Sequence, residues 1–184
     1  MRKSVTERDD MGTPHERKTK SGAEALQSLM RLCARAEKSS GDAMRLMRTW
    51  GVPETERQEV LKRLIEQRYI DDTRYAEAYT REKSQLAGWG ARKIAMHLRQ
   101  KGVASDIITT TLAHLDTDEM ESKLKDKLHR KLRSTKAATD YELKGKLLRY
   151  ALGLGYEYDV CVSVIDKILN AYILSTSKCK GSFH

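Results

Sequence analysis

One pattern occurs more than once along the chain and limits what it can fold into. Arg48-x-x-Gly51-Val52 returns as Arg99-x-x-Gly102-Val103. Leucines nine and twelve positions beyond the valine return with it, first Leu61 and Leu64, then Leu112 and Leu115. A looser third copy runs from Arg149 through Gly155-Tyr156, with Ile165 and Ile168 at the same two offsets from Tyr156. The glycines stand 51 and then 53 residues apart. Self-similarity at such a period marks stacked supersecondary units, in which neighbours share the work of burying apolar surface.

Within each copy the apolar period is helical. Ser21-x-x-Glu24 has the form of a capping box, and Leu26, Leu29, Met30 and Cys33 follow on one face. Ser39-x-x-Asp42 opens a second helix with Ala43, Met44, Met47 and Trp50, which Gly51 ends. Pro53 fits the first turn of a third helix, where a missing N–H is tolerated, and Val60, Leu61, Leu64 and Ile65 give that helix its core face. In the second copy Asp71 and Asp72 are both expected to cap a helix whose stripe is Tyr75, Ala76, Tyr79 and Leu86. Beyond Gly88-Trp89-Gly90 a helix buries Ala91, Ile94, Ala95 and Leu98, and Gly102 is placed for a left-handed stop. The third copy opens at Asp116-x-x-Glu119 and continues through Met120, Leu124, Leu128 and Leu132. Thr139-x-x-Glu142 starts its next helix, and Val160, Cys161, Val164, Ile165, Ile168 and Tyr172 mark the last. Two prolines and a single Phe in 184 residues, with abundant Leu, Ala, Lys, Arg and Glu, agree with an all-α chain. The expected organisation is an unstructured tail over 1–20, three-helix units over 21–70, 71–116 and 117–174, and a frayed end over 175–184.

Charge separates these units. The chain carries a formal +9, and the excess concentrates in residues 67–103 and 117–150, each with +4. A basic balance of this size points to an acidic partner: nucleic acid, an anionic membrane surface or an acidic protein. Arg74 and Arg81 are seven apart on one helix, and Arg92 and Arg99 repeat that spacing on the next, so each pair shares a flank. With Lys83, Lys93 and Lys101, and with Lys123, Lys127, Arg130 and Lys131 of the third unit, they form the candidate binding surface. Arginine's planar fork suits phosphate or carboxylate. Each of these arginines could equally serve packing or a cap contact, and the lysine-rich helix could be a solvated face. Trp89 could stack on a base or fill a gap between helices.

Nothing in the chain has the form of a catalytic site. Cys33, Cys161 and Cys179 are widely separated, with no Cys-x-x-Cys, and read as reduced thiols. The five histidines have no ligand or triad spacing, and Gly88-Trp89-Gly90 lacks the Lys-Ser/Thr of a Walker loop. No cofactor or metal is expected. No apolar run reaches the ~18 residues of a membrane span, and the N-terminal segment lacks the apolar centre of a secretory signal, so a cytoplasmic protein is expected.

The ordered set Ile70-Asp71-Asp72, Arg74-Tyr75-Ala76, Tyr79, Arg81, Lys83, Gly88, Gly90, Lys93-Ile94, Leu98 and Lys101-Gly102-Val103 resembles the signature of the RecX family, bacterial regulators of the RecA recombinase. Weaker resemblance extends over roughly Ala23 to Tyr172. The family often has Gly ahead of the aromatic-Ile-Asp segment, where this chain has Gln67-Arg68. The resemblance implies an elongated, curved array of three three-helix units. It further implies a monomer that engages the RecA–ssDNA filament, and single- or double-stranded DNA, in DNA repair, homologous recombination and the SOS response. A rival from another class is a stand-alone helix-turn-helix-like DNA-binding protein, since Met44–Leu64 and Ile94–Leu115 each join two helices by a glycine-containing turn. Ser105–Leu115 is a poor reader of bases, because it carries no Arg, Lys, Asn or Gln.

Overall fold

The computed structural model describes the backbone of residues 19–180 and side chains through Tyr172. The tail expected over 1–20 falls, for residues 1–18, outside the described residues, as do residues 181–184 of the expected frayed end. The described chain is all-α, with nine helices and no strand. They are α1 (Gly22–Cys33), α2 (Ser40–Thr49), α3 (Glu54–Glu66), α4 (Asp72–Gln85), α5 (Ala91–Gln100), α6 (Ser105–Ala113), α7 (Thr117–Ser134), α8 (Asp140–Gly153) and α9 (Tyr158–Lys180). The backbone of α9 is helical to Lys180, so 175–180 continue a helix where the sequence suggested fraying.

Short polar residues start these helices by accepting bonds from unpaired N–H groups of the first turn. Ser21 forms a complete capping box with Glu24, Ser39 accepts from the Asp42 amide, and Thr139 from the Glu142 amide. Asp71 caps α4 through the Arg74 amide, and Asp116 accepts from Asp118 and Glu119. Two expectations shift. Pro53 is the N-cap of α3 itself, and Asp72, the first residue of α4, turns its carboxylate to the Ser40 amide at 2.8 Å, at the start of α2.

Packing is dense within consecutive triplets, α1–α3, α4–α6 and α7–α9, and each triplet owns a separate core. The repeat is visible in what each core buries. Ala43, Ile94 and Leu147 are equivalent, as are Met47, Leu98 and Ala151, and all six are fully buried. Val52, Val103 and Tyr156 follow the three turn glycines and are buried too. In the third helices the buried position common to all copies lies eight past the valine or Tyr156, at Val60, Thr111 and Val164. Of the leucines read from the sequence at nine and twelve, Leu61, Leu112 and Leu115 are only partly buried. Leu86, read as part of the α4 stripe, is 82% exposed.

The middle core is the most polar. Thr80 and Ser84 are buried in α4 and Thr111 in α6, and the Thr80 hydroxyl has no hydrogen-bond partner. Position 80 corresponds to Leu29 of the first triplet and 111 to Val60.

Two buried phenols give the fold a pH limit. Burial pushes the pKa of Tyr75 and of Tyr156 up to about 12. Both prefer to stay neutral in the folded state, and Tyr156 donates its O–H to the Gly88 carbonyl at 3.4 Å. A folded-state pKa above the unfolded value of ~10 means stability is intact below pH ~10 and lost between ~10 and ~12. Unfolding free energies from urea titrations between pH 9 and 11.5 should hold steady and then fall, by up to about 2 kcal/mol per tyrosine. Tyr156→Phe should flatten that fall; an unchanged slope would contradict the assignment.

Candidate functional site

The cationic residues singled out from the sequence meet very different surroundings, because two of the turns that carry them are also joints between triplets.

At the first joint the start of α2 abuts the end of α5. Ser39 donates from Oγ to the Lys101 carbonyl at 2.6 Å. Gly102 has φ +76, and a Cβ on Gly41 would lie 2.2 Å from the Lys101 carbonyl oxygen, so two backbones meet without side chains between them. Asp42 is 7% exposed at this contact; its carboxylate pairs with Arg45 and accepts from Lys101 Nζ at 3.2 Å and 3.3 Å. Arg74 grips Glu37 through Nε at 2.7 Å and Nη2 at 3.1 Å. Lys101 and Arg74, expected on the binding surface, therefore tie the first triplet to the second.

The second joint is built from backbone. The Gly90 amide donates to the Leu154 carbonyl at 2.7 Å and the Arg92 amide to Gly155 at 3.1 Å. Lys93 Nζ donates to the Gly153 carbonyl at 3.1 Å. Gly155 has φ +88 and lies directly on Lys93, and Arg92 makes a loose 3.6 Å ion pair with Glu157.

Beside this joint the turn 88–90 gathers three of the expected lysines, two of them over the Trp89 indole. Lys93 Nζ sits 4.5 Å from the Trp89 ring centroid and Lys83 Nζ 5.5 Å, while the methylenes of Lys127 lie against Gly88. Trp89 is half-buried on the middle core, its ring 4.7 Å from that of His97. The indole thus fills a gap between α4 and α5 and also orders two ammonium groups beside it.

The remaining cations are outward. Arg81 and Arg99 are exposed, and neither guanidinium has a partner among the described residues. Arg130 is exposed and reaches only the Asp126 carbonyl, at 3.3 Å. Lys123 pairs with Glu119 at 2.6 Å, and Lys131 lies over the Tyr150 ring at 5.5 Å. The structure thus brings Lys83, Lys93 and Lys127 together and places Arg92 with Arg99 along α5. Arg81 stays apart on α4, and Arg74 and Lys101 are absorbed by the first joint. Sequence reasoning missed the acidic halves of that joint, Glu37 and Asp42. Their only signal was the near balance of charge in the first unit.

Chemically such a surface can hold anions. Among the described residues no group of three or more His, Cys, Asp or Glu could hold a metal ion, and no helix is long and apolar enough to cross a membrane.

The family model described as RecX, second three-helix domain, matches residues 71–112, which hold α4, the 88–90 turn, α5 and most of α6. Regulatory protein RecX of Clostridium perfringens (strain 13 / Type A) is 34% identical over 120 residues, covering 61% of this chain and 55% of that protein. This chain is similar to RecX proteins. A second RecX relative, from Mycobacterium sp. (strain JLS), is 31% identical over 110 residues, covering 58% of this chain and 60% of its own length. The chain thus spans little more than half the length of these two RecX proteins. Two solved RecX structures share the fold. A crystal structure of regulatory protein RecX aligns with TM-score 0.69 and 24% identity over 79% of this chain and 71% of that one. RecX from Lactobacillus salivarius aligns with TM-score 0.67 and 19% identity, over 79% and 95%.

Proposed function

We propose that this chain is a modulator of the RecA recombinase that lies in the groove of the RecA–ssDNA filament and restrains filament growth, strand exchange and coprotease activity. The observation that carries this reading is the row of triplets with open cations on the second and third, in a chain whose middle triplet matches a RecX domain. A row of repeated units can follow a polymer of repeated protomers. Arg81, Arg99, Arg130 and the lysines around Trp89 would face phosphates or acidic surfaces there, and nucleotide would remain with RecA.

The test is the ssDNA-dependent ATPase of a cognate RecA, titrated with this protein at two salt concentrations. Inhibition should weaken as salt rises, because each phosphate contact releases counterions. Arg81→Ala with Arg99→Ala should raise the half-inhibiting concentration about tenfold at low salt. Arg74→Ala should act chiefly through stability, since its guanidinium is engaged with Glu37. Undiminished inhibition by the double variant would exclude these two arginines as contacts. Footprinting of duplex DNA without recombinase would favour the stand-alone DNA-binding alternative.

A further inference from the structure

An open groove of about 950 Å³ runs between α5 and the α8–α9 turn. Ala91 and Ala95, Leu112 from α6 and Leu152 from α8 supply its apolar lining, and Lys93 and Glu157 line it as well. Met96 lies in it at 47% exposure and Leu152 at 37%, and both are large hydrophobic side chains left uncovered. Arg92, Met96 and Arg99 are spaced i, i+4 and i+7, so they share one face of α5, with a guanidinium at each end of the apolar patch. The two arginines are separated by two helical turns, about 10 Å along the axis. Arg99 has no partner among the described residues, and the Arg92–Glu157 pair is long enough to be exchanged for a better acceptor.

We infer that this groove is a docking site for an acidic amphipathic helix of a partner protein. The partner's apolar side chains, at i and i+4, would cover Met96, Leu112 and Leu152. Two carboxylates about two turns apart would take the forks of Arg92 and Arg99. A nucleic-acid strand fits less well. Phosphates gain nothing from the Ala, Leu and Met side chains of the lining and would meet the Glu157 carboxylate, and the indole that could receive a base, Trp89, does not line this groove. The α5 groove therefore reads protein, while Lys83 and Lys127 beside the 88–90 turn, which do not line it, remain for phosphate. This assignment rests on the filament reading only for who supplies the helix; the chemistry of the groove is independent of it.

The experiment compares the full chain with Met96→Asp and, on the opposite wall, Leu152→Asp. Both side chains are partly exposed, and unchanged thermal unfolding would show that both variants fold. Binding is measured to RecA–ssDNA filaments, to a bare oligo-dT strand, and to a labelled helix-forming peptide of Glu, Ala and Leu with one leucine face. Each variant should bind the filament and the peptide about tenfold more weakly while holding oligo-dT as the parent does. Arg99→Glu should match them on the peptide. Equal loss on oligo-dT, or undiminished peptide binding by both variants, would overturn the groove assignment. If the parent protein ignores the filament, the function proposed above fails, and the peptide arm alone then decides the groove. A parent that binds no peptide overturns it.

Discussion

Gly155→Ala should cost about 3 kcal/mol and loosen the third triplet from the second. Two effects add. At φ +88 an alanine carries a left-handed penalty of about 1–2 kcal/mol. Its Cβ would also lie 2.3 Å from Lys93 Cβ and 2.5 Å from Lys93 N, so α5 must move away. That movement opens the Gly90–Leu154 and Arg92–Gly155 hydrogen bonds, worth about 1 kcal/mol each. Gly153 is the control two residues earlier, because a Cβ there meets nothing within 4 Å. Gly153→Ala should be neutral or slightly stabilising through helix propensity. Urea unfolding of both variants checks the pair, and equal midpoints would refute the close approach.

The second large effect is expected at the first joint, from Asp42→Ala. This carboxylate is nearly buried and holds both Arg45 and Lys101. Breaking a buried pair from one side costs about 3–5 kcal/mol, because the other charge stays behind desolvated. Lys101 is one-third exposed and can recover some hydration, which lowers the expectation to about 2 kcal/mol. Asp42→Asn keeps the shape and an acceptor oxygen and should lose about half as much. Added salt should narrow the gap between parent and variant only slightly, because a pair this buried is poorly screened. The Gly155 variant should show only weak salt dependence, since its joint is mainly backbone against backbone and its one ion pair, Arg92 with Glu157, is exposed and long.

Much of this was legible in the chain, and the exceptions have a common cause. Helix starts were readable at Ser21, Ser39, Asp71, Asp116 and Thr139 because a cap is a local contract over three residues. The core triplets were readable because a period of about 51 placed equivalent residues in equivalent pockets. What could not be read were pairings across the joints, which depend on how two separately folded triplets abut. Arg74 with Glu37, Lys101 with Asp42 and Asp72 with Ser40 are separated by 37, 59 and 32 residues. Seven-residue spacing placed Arg74 and Arg81 on one flank, but it could not say that a carboxylate from the preceding triplet would claim the first. Leu86 misled for another reason: helical periodicity continued past the point where α4 runs out of neighbours. Arg68, where the resemblance expects a nearby glycine, sits at φ +57, so the turn keeps a left-handed residue while the chain supplies a side chain for it.

The hydroxyls inside α4–α6 bear on how the molecule could ever be taken apart. Thr80 and Thr111 stand where the first triplet packs Leu29 and Val60, so the central module gathers less cohesion from its own interior than its predecessor does. It is also the module clasped from both sides, by charges at one end and by main chain at the other. Excised alone, the segment that carries the family's recognisable residues would be the poorest candidate for autonomy. The signature is legible as a piece, but it stands upright only in company.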